Sequence, residues 1–364
     1  MLTSVYPSPA LSLSSSLVLS PEQVTQWRTE GYTLVSDVFP DTLLQQVRNA
    51  AIEAYPEGTG PMKDELGSGG KMTFPVCDDA FQVVNKIPLH MRLITAVTQL
   101  LGCNSDDLRL SQADLWGKRG YTEPKYDAYC NMNQRIHCDY PNHTLVMPPS
   151  WDNPEVVSII IYYDDSATVG GGTRIVPREG SDDPAYTSSA ESVSPLLLTP
   201  GARGDLPWIN DKDHAEEYLR AHHPEVHKFR QEVLYPREKS VAYGVGTVLF
   251  YRHDIWHRGT PPLPNATRRI HNIVYKLAHC DWVNLWNSGS ARRMYTRNQV
   301  VERLIAGSCS AQRVLLGFPA PSSNYWNEDT LQAVKDRYSS LPGGFMHCEE
   351  IEEEVRKKKR KISA

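Results

Sequence analysis

The sequence predicts a mainly β fold with added helices, on two observations. From about residue 106, short β-branched and aromatic runs alternate with turns rich in Gly, Pro and Asp, which is typical of a sandwich or barrel. Helical periodicity is found mainly before residue 102 and after residue 287. The chain has 364 residues, which is enough for helices and strands to share one large core.

Helices are predicted on both sides of a strand near the start of the chain. Residues 20–23, Ser-Pro-Glu-Gln, combine a hydroxyl cap, a proline in the first turn and a glutamine that completes a capping box. This helix should end at Gly31, and residues 32–39 then have the pattern of a strand. Asp41 is the predicted cap of a second helix, and apolar spacing predicts a third over 88–101.

The rest of the chain divides into strands, an insert and a helical end. A charged helical stretch lies near 211–232 inside a polar insert, and helical texture returns over 288–340. Five strands are predicted, over 107–116, 156–163, 173–177, 247–251 and 270–277. We therefore expect a flexible lead over 1–19, one domain over 20–287 with an insert at about 182–240, a helical extension of that domain over 288–345, and a solvated charged tail over 346–364.

Charge and cysteine content argue against several classes of protein. The net charge is -5, so no overall basic field favours nucleic acid as a partner. Seven cysteines without a CxxC spacing argue against a disulfide framework or a zinc knuckle, and fit a reducing, cytoplasmic location. No apolar run approaches the roughly 18 residues of a membrane span, so no membrane partner is predicted. The basic run Lys357–Lys361 leaves nuclear import as an alternative location.

A His-x-Asp motif at His137 and Asp139 is the first candidate site. It follows a strand-like approach over 131–136. In an extended segment, residues i and i+2 point to the same side, so both side chains can bind one metal while Cys138 faces away. Such a motif is common by chance, so it is a weak signal when taken alone.

His257 and Arg268 supply the second half of the pattern. A buried strand over 244–251 leads to His257, and Arg268 follows 11 positions later at the start of the next strand. Two histidines and one carboxylate are the ligand set of non-haem Fe(II) sites with positions open for oxygen chemistry. An arginine at this place suits the anchor of an acidic co-substrate. The sequence does not determine whether the two halves converge.

Two other motifs are weaker. His253 and His257 have the i, i+4 spacing of a zinc-peptidase helix, but Asp254 stands where that motif needs Glu, and the preceding segment is strand-like. The Gly-Lys dipeptide at 70–71 suggests a phosphate-binding loop, but Glu65 takes the place of the first glycine of that motif. Neither motif is retained as a site.

Taken in order, the motifs resemble those of the phytanoyl-CoA dioxygenase-like family of Fe(II)/2-oxoglutarate-dependent oxygenases. The chain shows the family's helix-Gly-Tyr-strand opening at 20–40, its HxD strand at 136–141 and its central glycine-containing block at 158–181. The segment 248–261 matches the distal histidine, and Arg268 falls at the usual arginine spacing. The resemblance runs from about residue 20 to about 280 and leaves out the insert.

This resemblance implies a double-stranded β-helix, or jelly-roll (cupin-like), core with helices packed on one side. It implies Fe(II) held by His137, Asp139 and His257, with 2-oxoglutarate and O2 as co-substrates. It also implies that Arg268 binds the far carboxylate of 2-oxoglutarate. Arg269 is the alternative anchor, because adjacent strand residues face opposite ways and the register is open.

The predicted function is hydroxylation, or a related oxidation, of an unactivated C–H bond in a small organic molecule, with release of succinate and CO2. Asp139 favours hydroxylation, because family members that halogenate leave that ligand position to a halide. One alternative is an oxygenase acting on a protein or nucleic acid. The other is a non-catalytic jelly-roll binding protein. Neither the small molecule nor the oligomeric state is predicted.

Overall fold

Two antiparallel β-sheets form the centre of the protein. The computed structural model describes residues 17–57, 71–122, 133–139, 151–186, 211–279 and most of 300–362. Within these residues the strands are β1 Tyr32–Val35, β2 Met72–Thr73, β3 Leu108–Arg119, β4 Val156–Tyr162, β5 Gly172–Ile175, β6 Lys239–Ser240, β7 Val248–Arg252, β8 His257–Thr260 and β9 Thr267–Leu277.

The strands divide into a larger and a smaller sheet. The larger sheet has the order β1-β7-β4-β9-β3-β2, and the smaller has the order β6-β5-β8. The longest pairing joins β3 to β9, from Leu108 opposite Leu277 to Arg119 opposite Thr267. Strands of both sheets line a common cavity, so the sheets face each other across it. This arrangement confirms the predicted mainly β, jelly-roll type of core.

Three helices near the start of the chain cover the opposite face of the larger sheet. In the described residues the helices are α1 Pro21–Glu30, α2 Asp41–Ala54, α3 Met91–Leu101, α4 Ser166–Val169, α5 Lys212–His222, α6 Pro224–Phe229, α7 Val300–Gly307, α8 Ser310–Leu315 and α9 Glu349–Ile362. Side chains of α1, α2 and α3, among them Trp27, Val47 and Leu93, share one apolar cluster with the larger sheet. Helices packed on one side were predicted, and this packing confirms them.

Strand β4 shows how the larger sheet separates its two faces. Val157, Ile159 and Ile161 are buried among the helices, whereas Ile160 and Tyr162 belong to a second cluster toward the smaller sheet. Successive side chains of a strand point to opposite faces, and here both faces are covered. That is why the segment is a continuous apolar run rather than an alternating one. Each buried aliphatic side chain contributes roughly 1.5–3 kcal/mol.

The five predicted strands all form, while three short strands are additional. β2 and β6 have two residues each and β8 has four, too few to show a periodicity. The strand predicted over 32–39 ends at Val35, and the backbone turns at Asp37, where φ is 60°.

The first two helix starts differ in their caps. At α1 the predicted capping box is confirmed, because Gln23 N donates to Ser20 Oγ at 3.3 Å and Ser20 N donates to Gln23 Oε1 at 2.8 Å. Such a cap stabilises a helix by about 1 kcal/mol. At α2 the prediction was wrong: the cap position is Pro40, and Asp41 is the first helical residue, where its charge favours the helix dipole instead.

The ends of the chain are more ordered than the sequence predicts. Leu19 is buried, and Gln99 of α3 accepts the Val18 and Leu19 amides at 3.0 and 3.1 Å, so the lead does not extend to residue 19. Residues 1–16 lie outside the described part of the chain. The charged tail forms α9, with Ile351 and Val355 buried.

None of the helices in the described residues has the length and apolar character needed to cross a bilayer. The cytoplasmic location stays a prediction from composition.

Candidate metal centre

His137, Asp139 and His257 lie together, although 118 residues separate the second from the third in sequence (257 − 139). Their ligand atoms lie within 4.8 Å of one another. The Nε2 of His137 is 3.6 Å from one Asp139 oxygen, and the Nε2 of His257 is 3.3 Å from the other. The three side chains therefore point at one small volume.

Backbone pairing between the two halves fixes this convergence. His137 and His257 form an antiparallel bridge in which each amide donates to the other's carbonyl at 2.9 Å. Three residues earlier, Gln134 N donates to the Gly259 carbonyl at 3.1 Å. The segment 133–137 thus continues the smaller sheet beyond β8. Because the bridge sets His137 beside His257, the alternation of an extended chain brings Asp139 to the same side.

Both imidazoles are oriented by the same local contact. The Nδ1 of His137 lies 2.9 Å from the Arg135 carbonyl, and the Nδ1 of His257 lies 3.1 Å from the Ile255 carbonyl. A carbonyl only accepts, so each Nδ1 carries the proton and each Nε2 presents a lone pair. Two lone pairs and a carboxylate converge on one point, which is a donor set that fits a cation.

The electrostatics of the metal-free site show how the three groups balance one another. Burial alone would lower the pKa of His257, but the charge and hydrogen bond of Asp139 outweigh it and raise this pKa, so a proton and a metal compete for its Nε2. Burial lowers the pKa of His137 to about 3, and the positive charge of His257 acts in the same direction. Burial alone would raise the pKa of Asp139, but the charge and hydrogen bond of His257 outweigh it and hold this pKa well below its usual value. Asp139 is therefore a carboxylate, and His137 is neutral, as metal ligands must be.

Two neighbours complete the immediate surroundings of the ligands. Tyr251 donates its hydroxyl to Asp139 Oδ2 at 3.3 Å, which orients the carboxylate. Cys138 is buried on the opposite side, in an apolar cluster with Ile136 and Trp256. The sequence predicted that Cys138 would face away, and the structure agrees.

The alternative zinc motif does not form. His253 and Asp254 lie in the turn between β7 and β8 rather than on a helix. Arg252 binds both carboxylate oxygens of Asp254, at 2.8 and 2.7 Å. The Nδ1 of His253 lies 2.5 Å from the Ser158 hydroxyl, and in the described residues His253 is not part of the group that could hold a metal.

The three ligands open into a cavity of about 370 Å³ between the two sheets. This volume is typical of sites for small molecules. Apart from the metal ligands, the side chains that line it include Lys71, Gln112, Trp116, Lys118, Gln134, Ile160, Tyr162, Thr173, Tyr251, Arg268, Ile270 and Asn272. Three of its buried polar atoms, Trp116 Nε1, Arg268 Nε and Asn272 Oδ1, have no hydrogen-bond partner among the described residues.

The two candidate arginines lie on opposite faces of β9. Arg268 lines the cavity, and its Nη1 donates to the Thr260 carbonyl at 2.9 Å. Arg269 points to the helical side, where it pairs with Asp164 at 2.9 Å and with Glu57 at 2.9 Å. Of the two arginines, Arg268 faces the cavity, and Arg269 is paired on the other side of the sheet.

Two glycines leave room for the guanidinium of Arg268 in the wall of the cavity. A Cβ on Gly171 would lie against Arg268 Nη1 and 2.6 Å from the Pro261 carbonyl. A Cβ on Gly172 would lie 3.0 Å from the ring of Tyr243, which stacks on Tyr162 with the ring centroids 3.8 Å apart. The glycine pair in the central block therefore allows the wall of the cavity to close around the guanidinium.

The insert supports the strand that carries His137. Arg230 donates to the Ile136 carbonyl at 2.9 Å and pairs with Glu216 of α5 at 2.7 Å. Tyr235 donates to the same Glu216 oxygen at 2.6 Å, and Lys212 N donates to the Asn133 carbonyl at 2.8 Å. The described part of the insert thus packs behind the metal ligands.

Sequence reasoning missed several residues of the cavity. Lys71 was met only as part of a rejected phosphate loop, and Gln112, Tyr251 and Asn272 were not singled out. Lys118, Trp116 and Gln134 precede the His-x-Asp motif in the sequence, which makes them candidates for a pocket without ranking them. Alternation along β3 and β9 would have grouped several of them once the pairing was known. The sequence alone does not give that pairing.

No protein-family model matches this sequence, and no curated protein matches it. Among solved structures, the non-heme alpha ketoglutarate dependent carbocyclase SnoK from nogalamycin biosynthesis is 16% identical, with a TM-score of 0.46 and coverage of 78% of this chain and 94% of that chain. The epimerase SnoN in complex with Fe3+, alpha ketoglutarate and nogalamycin RO is also 16% identical, with a TM-score of 0.45 and coverage of 73% and 87%.

EctD from S. alaskensis with 2-oxoglutarate and 5-hydroxyectoine is 12% identical, with a TM-score of 0.45 and coverage of 85% of this chain and 98% of that chain. Similarities of this size do not assign an activity or a substrate to this chain, which has to be inferred from its own site.

Proposed function

We propose that the protein is an iron(II)- and 2-oxoglutarate-dependent dioxygenase, similar to the phytanoyl-CoA dioxygenase-like family, that oxidises a small organic molecule. The observation that carries the proposal is the convergence of two imidazole Nε2 atoms and one carboxylate inside a cavity that also holds a buried arginine. Two histidines and one carboxylate on one side of a metal favour iron(II) with open positions. A buried guanidinium suits the far carboxylate of 2-oxoglutarate.

Each residue then has a role. His137, Asp139 and His257 would hold iron(II), and Tyr251 keeps the Asp139 carboxylate in place. Arg268 would pair with 2-oxoglutarate through its unpartnered Nε, while its Nη1 stays on the Thr260 carbonyl. When bound, iron and 2-oxoglutarate supply, with O2, the oxidising chemistry that hydroxylates a C–H bond and releases succinate and CO2.

The cavity also supports a small molecule as the substrate, in preference to a protein or nucleic acid. It lies between the two sheets, and Ile160 and Ile270 contribute apolar walls, an arrangement that suits a small molecule rather than a length of polymer. Part of the positive charge of α9 is balanced within the protein, because Lys357 pairs with Glu354 at 2.8 Å and Lys359 pairs with Glu328 at 2.7 Å.

Anaerobic titration tests the proposal. Iron(II) and 2-oxoglutarate added together should give a weak visible charge-transfer band, and air should then cause 2-oxoglutarate consumption with succinate release. Asp139→Asn should lower iron affinity by more than the roughly 10- to 100-fold that changes next to a ligand produce. Tyr251→Phe, which removes the hydrogen bond to Asp139 but no metal ligand, should stay within that range.

Arg268→Gln should retain iron affinity and weaken 2-oxoglutarate binding by roughly 10- to 100-fold, the loss of one charge-assisted contact. Unchanged 2-oxoglutarate affinity in this variant would remove Arg268 as the anchor. If the unmodified protein gives neither the band nor 2-oxoglutarate turnover, the dioxygenase assignment fails, and a non-catalytic binding protein remains.

A further inference from the structure

The cavity holds more basic side chains than iron and 2-oxoglutarate need. Among its described lining residues, Lys71, Lys118 and Arg268 are basic and Asp139 is anionic. Iron(II) and doubly charged 2-oxoglutarate cancel each other, so the three basic side chains still face one carboxylate after both have bound. Asp114, which interacts with Lys71, supplies a second carboxylate. One basic group is therefore in surplus among the described residues, and in a closed site it carries its charge at low cost only when an anion joins it.

Lys118 is the least compensated of these groups. It lies directly opposite Arg268 in the pairing of β3 with β9, and like charges in such a position repel each other. Its ammonium lies over the ring of Trp116, 4.7 Å from the centroid, and forms no ion pair among the described residues. Burial, followed by the charges of Arg268 and Lys71, lowers the pKa of Lys118 well below its usual value.

Lys71 reaches the same place from a different segment. Its ammonium lies over the same indole ring, 3.7 Å from the centroid. Both lysines line the cavity into which the three metal ligands open, and both interact electrostatically with Asp139. Two ammonium groups from separate elements therefore meet at one aromatic ring in this cavity.

We propose that Lys71 and Lys118 bind an oxyanion of the substrate, so that the molecule oxidised is a small organic acid, either a carboxylate or a phosphate ester. This inference rests on the proposed function, because the surplus charge is counted with iron and 2-oxoglutarate bound. Lysine ammonium groups suit both oxyanions, which they hold as point charges rather than by a planar fork. The cavity of about 370 Å³ limits the acid to metabolite size.

Binding of matched acids and neutral analogues tests this assignment. Protein loaded with Mn(II) and 2-oxoglutarate is titrated calorimetrically with hexanoate against hexanamide, benzoate against benzamide, and phenyl phosphate against phenol. The acids of at least one pair should bind roughly 10- to 100-fold more tightly than their neutral partners. Whether carboxylates or the phosphate ester show the preference distinguishes the two oxyanions.

The double variant Lys71→Met/Lys118→Met should lose that preference and keep 2-oxoglutarate affinity within about three-fold. The exposed Lys239, changed to Met, is the matched control and should change neither quantity. Removal of two crowded charges should not lower the unfolding midpoint of the metal-free protein, which separates a binding effect from a folding defect.

Three results overturn the proposal. The first is a loss of 2-oxoglutarate affinity in the double variant, which would assign the lysines to the co-substrate. The second is an acid preference that survives in the double variant. The third is the absence of any acid preference at millimolar concentrations in a wild-type protein that binds Mn(II) and 2-oxoglutarate normally. Failure of the wild type to bind 2-oxoglutarate would instead be a failure of the proposed dioxygenase function.

Discussion

At Gly171 the backbone passes so close to the guanidinium of Arg268 that a side chain would not fit between them. Its φ of 66° lies in the left-handed region, and its missing Cβ leaves room for the guanidinium of Arg268. A side chain there would meet Arg268 Nη1 on one side and the Pro261 carbonyl on the other. Since the backbone cannot yield easily, the guanidinium would have to move.

Gly171→Ala is therefore expected to weaken 2-oxoglutarate binding by at least about ten-fold, in line with the loss of one charge-assisted contact. Metal affinity should stay nearly unchanged. Gly180→Ala is the matched control, because its φ is 87° and no atom lies within 4 Å of the place that a Cβ would take. It should cost about 1 kcal/mol of stability through backbone strain alone. Equal 2-oxoglutarate affinities in the two variants would contradict the steric argument.

Arg268 and Arg269 show which features of a single residue can be predicted from the sequence and which cannot. Residue types and spacing predicted an arginine after His257, but two adjacent arginines left the choice open. Only the register of β9 against β3, with Lys118 opposite Arg268, decides which one faces the cavity. That register is fixed by packing of both sheet faces, which depends on contacts between distant segments.

At the scale of elements, the insert packs against the segment 133–137, which carries His137. The segment 133–137 pairs with β8 on one edge. Its Ile136 carbonyl is satisfied by Arg230, whose charge is balanced by buried Glu216. Only 1% of the Arg230 surface is exposed, so the pair lies in a setting where removal of one partner is expensive.

Glu216→Gln should lower the free energy of unfolding by about 3–5 kcal/mol, because it leaves Arg230 buried without its counter-charge. Mn(II) affinity should fall by roughly ten-fold, since the strand that carries His137 loses its backing. Glu217→Gln is the control, because Glu217 is the next residue of α5 and is exposed. It should change neither the free energy of unfolding nor the Mn(II) affinity. Lower stability with unchanged Mn(II) affinity would show that the contacts of Arg230 and Glu216 do not position the metal ligands.

Strand β8 explains why the elements were predicted only in part. The sequence places His257 just beyond a strand, whereas in the structure it opens β8 and pairs with His137. Four residues that include a histidine, an arginine and a glycine carry no strand periodicity of their own. They are extended because the segment 133–137 and β5 lie on either side of them, a condition that no local pattern encodes.

For the whole molecule, the main correction concerns the end of the chain. The charged segment after residue 348 was expected to be solvated, yet α9 buries Ile351 and Val355 against Trp326 and Phe345. Ile351 and Val355 are four positions apart and so share one face of the helix, while charged residues cover the rest of its surface. The run of charges therefore conceals an amphipathic helix. Since Leu304 of α7 and Leu315 of α8 also join the main core, we propose that residues 288–345 extend the same domain.

Ile351→Ala should destabilise this C-terminal cluster by about 2–4 kcal/mol, the usual cost of truncating a buried aliphatic side chain. Hydrogen exchange of the α9 amides is the suitable measurement, because the cluster can open without global unfolding. The exposed Glu353, changed to Ala, should leave exchange unchanged. Equal protection of α9 in both variants would mean that the helix is not docked.

The pH dependence of stability should reflect a buried neutral histidine. His271 is 1% exposed, and burial lowers its pKa to about 3. The unfolded chain binds this proton near pH 6.5, so stability is complete above that value and is lost as the pH falls toward 3. At pH 5 the loss from this residue is about 2 kcal/mol.

Urea unfolding at pH 7.5 and pH 5.0 measures the effect. His271→Gln keeps a polar side chain that cannot titrate in this range, so its stability should fall less between the two pH values than that of the wild type. His222→Gln changes an exposed histidine of α5 and should leave the wild-type difference intact. A pH difference that is the same in all three proteins would show that His271 is protonated in the fold.

Across the molecule, the sequence predicted what depends on local pattern and on residue chemistry. Ser20 and Gln23 form the predicted cap, and the five longer strands lie where apolar runs were found. Lys71 as a cavity residue and the hydrogen bond from Arg230 to Ile136 were not predicted. Their positions follow from long-range pairing, and neither has a spacing signature in the sequence.

The carbonyl contacts of the two imidazoles have a consequence for how the protein acquires its metal. The Nδ1 of His137 lies 2.9 Å from the Arg135 carbonyl, and the Nδ1 of His257 lies 3.1 Å from the Ile255 carbonyl. The two segments are joined by backbone hydrogen bonds. The ligands are thus assembled by the polypeptide, in contrast to domains that fold only around their ion. We expect uptake to be a single bimolecular event: a chelator should remove the metal and added iron(II) should restore it, while the far-ultraviolet spectrum stays constant.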